Sequence, residues 1–261
     1  MRPLLALIPG LLAACSDPPQ ACSTALFGVP NAMTGLTAAQ CGPSCACDGL
    51  DWEAPVYTPD DVAALRAWVL DDPPALLTDD PYARTPPPAP TDGFCAVVRD
   101  PVTAGHYRLQ TFADRAAAEA AGAVPTHAGP CGLCSTLTDL AVYIETPDLT
   151  APVRACGIKY PSGPAADHQQ CLRDLGFTEA CAQIWYFNTV HTREQCLTPC
   201  FITINDPYHL PDGSLNDCLK CDEEKSGPVF KAIAGRTRRN TGVPSAMCRP
   251  CSEVEPLVHR Y

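Results

Sequence analysis

What the chain is short of narrows its range of roles first. Positive charge is scarce: 18 Lys and Arg stand against 29 Asp and Glu, a formal net charge of -11. That balance argues against a nucleic-acid partner, whose phosphates need cations, and against electrostatic adhesion to anionic lipid head groups. Long apolar runs are also missing. The longest, residues 4–14, is broken by Pro9 and Gly10, and a stable span needs about 20 residues. Nothing after it comes close. No internal repeat organises the chain as a solenoid, and no motif fixes a substrate, a reaction or a cofactor.

Cysteine, by contrast, is abundant, with 17 residues. The start of the chain says where they are used: a basic Met1-Arg2, the short apolar run and small residues before Cys15 form a secretory signal. Leu12-Ala13-Ala14-Cys15 resembles the lipobox of bacterial lipoproteins. The resemblance implies that residues 1–14 are removed and that Cys15 carries the lipid, palmitate included, tethering the protein to the bacterial cell envelope. Ser16, where an Asp would retain the protein elsewhere, implies the outer membrane, periplasmic or surface-facing. The parity of the cysteines agrees, since setting Cys15 aside leaves 16 of the 17, enough for eight disulfides. Their pairing does not follow from spacing.

The expected fold is α+β and mainly α, with disulfide-rich short helices and a small β-hairpin. Residues 15–57 form a Cys-rich irregular leader. Residues 58–93 hold a helix begun by Thr58-Pro59-Asp60-Asp61, then a Pro-rich linker that marks a domain boundary. Residues 94–261 form the main stapled domain. There Phe94-Cys95-Ala96-Val97-Val98 and Tyr107-Arg108-Leu109-Gln110-Thr111-Phe112 alternate as a hairpin. Short helices follow, one ending at Gly157, one opening at Thr178, and a further one opening at Thr192, where Thr192-Arg193-Glu194-Gln195 has capping-box spacing. Charge is uneven, with eight Lys and Arg against five Asp and Glu from residue 218 on.

Four groups of residues could carry chemistry. Cys131-Gly132-Leu133-Cys134 opens a helical pattern, and a thiol at a helix N-terminus is biased toward reactive thiolate. Its spacing resembles thioredoxin-type redox motifs, although no aromatic residue precedes Cys131 and no apolar strand is evident before it. The run through Ser135 also resembles the papain-type nucleophile region, which implies Cys134 as nucleophile and Cys131 bridged elsewhere. The bland reading is a structural brace, favoured by the excess of cysteine. Cys218-Leu219-Lys220-Cys221 and Cys248-Arg249-Pro250-Cys251 suit disulfides in an exported protein, with zinc the alternative; no metal or other cofactor is expected.

Lys231, Arg236, Arg238, Arg239 and Asn240 form a cationic segment suited to a carboxylate, sulfate or phosphate. The competing use is pairing with the chain's own Glu223, Glu224, Glu253 and Glu255. Finally, Asn188 and His191 share a helix face and could line a pocket, with Asn188 a further ligand-binding candidate, and with His127 and Asp139 they compose an acid/base site if the fold brings them together. The expected function is therefore a lipid-anchored extracytoplasmic protein that binds an anionic small molecule or a protein partner. The alternative is an extracytoplasmic enzyme using Cys131 and Cys134 or the His/Asp group.

Overall fold

The computed structural model describes residues 26–47 and 50–261. The signal segment 1–14, Cys15 and Cys22 lie outside the described residues. The leader begins with β1 (Leu26–Phe27), parallel to β2 (Cys41–Gly42), and continues as an antiparallel hairpin of β3 (Ser44–Cys47) and β4 (Leu50–Glu53). Strands this short do not hold themselves together.

The expected cap then starts α1 (Pro59–Ala67). The Thr58 hydroxyl accepts the Asp61 amide at 3.2 Å and the Asp61 carboxylate accepts the Thr58 amide at 2.7 Å, satisfying two otherwise orphaned donors. Val62 and Leu65 turn inward. After β5 (Val69–Leu70) the Pro-rich stretch lies against the body, with Leu77 and Tyr82 packed on the helical core.

The expected hairpin is present as β6 (Phe94–Arg99) and β7 (His106–Phe112). Asp114 caps α2 (Arg115–Ala120). Next comes β8 (Val124–Ala128), antiparallel to β6, so a strand does lead into the Cys131 pair, contrary to expectation. It escapes notice because Pro125 interrupts it. Pro125 sits on the edge of the β5-β7-β6-β8 sheet, at a register shift, where a missing N–H is tolerated.

The remaining elements are α3 (Leu137–Glu145), α4 (Thr150–Lys159), α5 (Ala165–Arg173), α6 (Glu179–Ile202), α7 (Asp217–Lys225), α8 (Gly227–Ala234) and β9 (Arg249–Pro250), which pairs with β1. The chain is thus mainly α with small sheets. Two boundaries differ from expectation. Gly157 does not end α4; it lies inside the helix and is glycine because a Cβ there would come within 2.6 Å of Thr189 Cγ2 on α6. Thr192 starts no helix, because α6 runs through it and bends at Cys196 (φ -126°, ψ 16°). Pro199 is the cause, since its ring clashes with the carbonyl four residues back.

α3 is the hub. Leu137, Leu140 and Ala141 pack with Val62, Leu65, Val97 and Tyr107 on the sheet side, while Val142 and Tyr143 pack with Leu172, Phe177, Ile184 and Phe230 on the helical side. Each fully buried side chain of this size contributes roughly 1.5–3 kcal/mol.

Seven disulfides among the described residues complete the fold: Cys41–Cys248, Cys45–Cys251, Cys95–Cys131, Cys134–Cys181, Cys156–Cys171, Cys196–Cys221 and Cys200–Cys218. Bridges at this density belong to an oxidising compartment, so the protein is of the extracytoplasmic type. Among the described residues no helix is long and apolar enough to cross a membrane.

Candidate functional site

The two cysteines of the Cys131 pair do not meet each other. Cys131 bridges to Cys95 on β6, and Cys134 to Cys181 on α6, both halves of the latter being fully buried. Nor does either begin a helix, because the cap of α3 is Thr136, whose hydroxyl accepts the Asp139 amide at 3.0 Å. The segment instead finishes α8. The Leu133 and Cys134 amides donate to the Ile233 and Ala234 carbonyls at 3.0 and 2.9 Å, satisfying acceptors that a helix end leaves orphaned. Close approach demands glycine on both sides: a Cβ on Gly235 (φ +72°) would meet the Gly132 nitrogen at 2.6 Å, and one on Gly132 would meet the Ala234 carbonyl carbon at 2.7 Å. This is the negative end of a helix dipole, which opposes thiolate. The reversible pair and the free nucleophile both lose their thiols; the brace remains.

Below the segment lies a contact that sequence reading missed. His127 Nε2 is 2.7 Å from Ser135 Oγ, and His127 Nδ1 is 2.9 Å from the Ala128 carbonyl. A carbonyl can only accept, so Nδ1 carries the proton and Nε2 accepts from the serine hydroxyl. The pair has the arrangement of an activated serine, but both residues are fully buried and Ser135 Oγ also accepts the Gly132 amide at 2.7 Å. Burial first, and then the charge of Arg236, hold His127 well below its ordinary value. It is a neutral strut.

Arg236 is also fully buried and uses its whole fork on neutral acceptors: the Cys134 and Ser135 carbonyls at 3.0 and 2.9 Å, the Thr126 carbonyl and hydroxyl at 3.1 and 2.7 Å, and the Thr241 hydroxyl at 3.3 Å. Asp139 is equally buried. Its oxygens accept the Thr178 amide at 2.8 Å and the Thr136 and Thr178 hydroxyls at 2.6 and 2.9 Å, so one carboxyl ties together the caps of α3 and α6. Burial pushes it up to about 6.

His191 is elsewhere. It stacks on Tyr82 with ring centroids 4.2 Å apart and lies 3.0 Å from Ser226 Oγ. Tyr82 donates to Asn188 Oδ1 at 2.8 Å, and Thr192 donates to Asp222, whose carboxyl burial raises to about 6. Asn188 and His191 thus come together as expected, but with Tyr82, Asp222 and Ser226 rather than with His127 and Asp139. The composite acid/base site is not assembled. Nothing in the sequence near Tyr82 marks it as a partner.

The cationic segment divides. Arg238 caps the end of α3, donating to the Tyr143 carbonyl at 2.6 Å, to the Pro244 carbonyl at 3.2 Å and to the Thr146 carbonyl, with its guanidinium 5.3 Å over the Tyr143 ring. Burial brings it down to about 10. Asn240 donates to the Ala128 and Gly235 carbonyls at 2.6 and 2.8 Å. Arg236 and Arg238 are therefore structural, which corrects their assignment to a ligand, while Asn240 braces the backbone with its amide and still borders open space. Arg239 pairs with Glu223 at 2.5 Å and with Glu253, and Lys231 is 3.4 Å from Glu223. Burial works against the Glu223 charge, yet Arg249, Arg239 and Lys231 together hold it at about 2.

What stays open is a cleft of about 290 Å³. Lys231, Arg239, Asn240 and Glu253 line one part, and Pro90, Thr91, Gly129 and Pro130 another, so the Pro-rich stretch, the Cys131 segment and the end of α8 converge on it. A second hollow of about 600 Å³ lies between α1 and the end of α3, beside the Arg66–Glu145 ion pair.

A family of unknown function, DUF8771, matches residues 165–256. The match takes in α5 to α8, the cationic segment and the second CxxC, and leaves out the four-stranded sheet and the Cys131 pair. No curated protein and no solved structure matches the chain. The double CxxC within that match holds no free thiol: Cys218 and Cys221 bridge to Cys200 and Cys196, while Cys248 and Cys251 bridge to Cys41 and Cys45. With every sulfur bonded to another sulfur, the four thiolates of a zinc site are spent.

Proposed function

We propose that this is a lipid-anchored binding protein of the bacterial envelope, tethered through Cys15, whose cleft at Lys231 and Arg239 takes a small molecule bearing a carboxylate, sulfate or phosphate. One observation carries the reading: three cations, Lys231, Arg239 and Arg249, meet two acids, Glu223 and Glu253, where Lys231 reaches its acid only at 3.4 Å. The excess of one positive charge faces the cleft on an otherwise acidic protein. Lys231 keeps about a third of its side chain exposed at 32%, against 15% for Arg239, so Lys231 is the cation free to turn toward a ligand. The remaining wall, with Thr91, Thr237 and the apolar Pro90 and Pro130, suits a compact ligand with a short uncharged body.

Thermal melting with added succinate, sulfate or inorganic phosphate tests it. At least one probe raises the melting temperature of the native protein, and Lys231→Met abolishes the rise while shifting unliganded stability by no more than about 0.5 kcal/mol. A probe-induced rise that survives in Lys231→Met, or no rise with any of the three, contradicts the proposal.

A further inference from the structure

The last turns of α6 leave three large apolar side chains in solvent: Leu197 is 61%, Phe201 76% and Ile202 71% exposed. An isolated exposed leucine is ordinary. Three such residues within six positions of one helix end mark a contact surface. Their direction is fixed covalently, because Cys196 and Cys200 bridge this turn to Cys221 and Cys218 of α7. With those two positions held against α7, Leu197 and Phe201, one residue further on each time and a helical turn apart, must point outward. Ile158, 59% exposed, belongs to the same end: it lies one turn along α4 from Arg154, whose guanidinium donates to the Ile204 carbonyl at 3.1 Å.

We infer that this end of the molecule rests in the head-group region of a zwitterionic bilayer, with Leu197, Phe201 and Ile202 as the inserting side chains. The inference depends on the anchoring at Cys15 proposed above. Three observations select lipid as the occupant. First, the tether is short and leaves beside the loop that joins α6 to α7. Ten residues separate Cys15 from Leu26, a reach of at most about 40 Å. Leu26 lies against Gly213, where a Cβ would be 3.5 Å from its Cδ1, in the loop that follows α6.

Second, the intervening residues 16–25, Ser-Asp-Pro-Pro-Gln-Ala-Cys-Ser-Thr-Ala, hold no large apolar side chain to cover the patch themselves. Third, residues 194–219 hold Glu194, Asp206, Asp212 and Asp217 and no Lys or Arg, and the α4 cations beside them, Arg154 on the Ile204 carbonyl and Lys159 over the Tyr160 ring, are outnumbered by these acids. Anionic lipid would be repelled, whereas phosphocholine or phosphoethanolamine head groups would not. A tether of this length holds the patch at an effective concentration on the order of mM beside the surface, so weak intrinsic affinity is enough.

The experiment uses the full mature chain carrying Phe201→Trp, compared with Val102→Trp in the exposed β6–β7 turn, where Val102 is 92% exposed. Intact-mass analysis of the N-terminal peptide reads the acyl chain on Cys15. Vesicles of phosphatidylcholine brominated on the acyl chain then quench any tryptophan that enters them. The expected result is an acylated Cys15, with quenching and a blue shift at position 201 beyond any at position 102. An acylated, vesicle-bound protein in which position 201 is quenched no more than position 102 overturns the docking and leaves the anchor standing. Absence of the acyl mass overturns the anchor and the docking with it. A blue shift at position 201 that grows with protein concentration without vesicles assigns the patch to a second copy and also overturns the docking.

Discussion

Arg236 is the residue on which most separate segments depend. Its five donors reach strand β8, the Cys131 segment and Thr241, all without a direct carboxylate partner. Arg236→Met strands those acceptors in the interior and is expected to cost about 3–5 kcal/mol in urea unfolding, far more than Lys231→Met. Reversing the charge of Arg238 would spare stability if it served a ligand; with the end of α3 relying on it, reversal is expected to unfold the protein. Histidine burial opposes stability in acid. Burial, helped by the Arg236 charge, pushes His259 down to about 3 and keeps His127 well below 6.5. As pH falls from 6.5 toward 3, the unfolded chain takes up protons that these native rings refuse, so stability is lost. Asp139 and Asp222, raised to about 6, act oppositely: their contribution is present below 3.8 and is lost as pH rises through 6. His259→Gln should therefore flatten the acid loss between pH 4 and 6 by up to about 1.4 kcal/mol per pH unit. An unchanged slope in urea titrations across that range would show that His259 is not buried neutral.

At the scale of elements, the two bridges between leader and C-terminus run side by side: Cys41–Cys248 and Cys45–Cys251 span 207 and 206 residues and begin and end within a few residues of each other. Once one is closed the other closes only a small ring. Removing either alone, as a paired Cys→Ala variant, should cost about 2–3 kcal/mol, and removing both should cost more than the sum of the two, on the order of 8 kcal/mol. Additive losses in thermal unfolding would mean that the leader is held mainly by its own packing. Which elements were legible in sequence follows the range of their signals. Thr58 and Asp61 cap α1 through neighbours, and the 94–112 hairpin alternates locally, so both could be read. Strand β8 could not, because Pro125 hides it and its pairing with β6 is what makes it a strand. Thr192 misled for the converse reason: its hydroxyl has capping spacing to Gln195 but is spent on Asp222, thirty residues away.

For the whole molecule, disulfide density and the mainly helical class were legible because composition carries them. The site was legible only in part. Lys231, Arg239 and Asn240 were found as a cationic run and do line the cleft, yet the sequence could not distinguish cations facing solvent from those spent on carbonyls. Arg236 and Arg238 answer to positions 126, 134, 143 and 146, roughly a hundred residues earlier. Glycine at 132 and 235 is what lets the Cys131 segment lie against α8, so a motif that reads as redox chemistry serves as a helix terminus and a double brace. That claim carries the exclusion of thiol catalysis and the convergence of three segments on the cleft. The direct measurement is a disulfide map of the mature protein, digested without reduction after alkylation of free thiols. The account predicts peptides joining Cys134 to Cys181 and Cys131 to Cys95, with no alkylated Cys134; a peptide joining Cys131 to Cys134, or an alkylated thiol at Cys134, would contradict it.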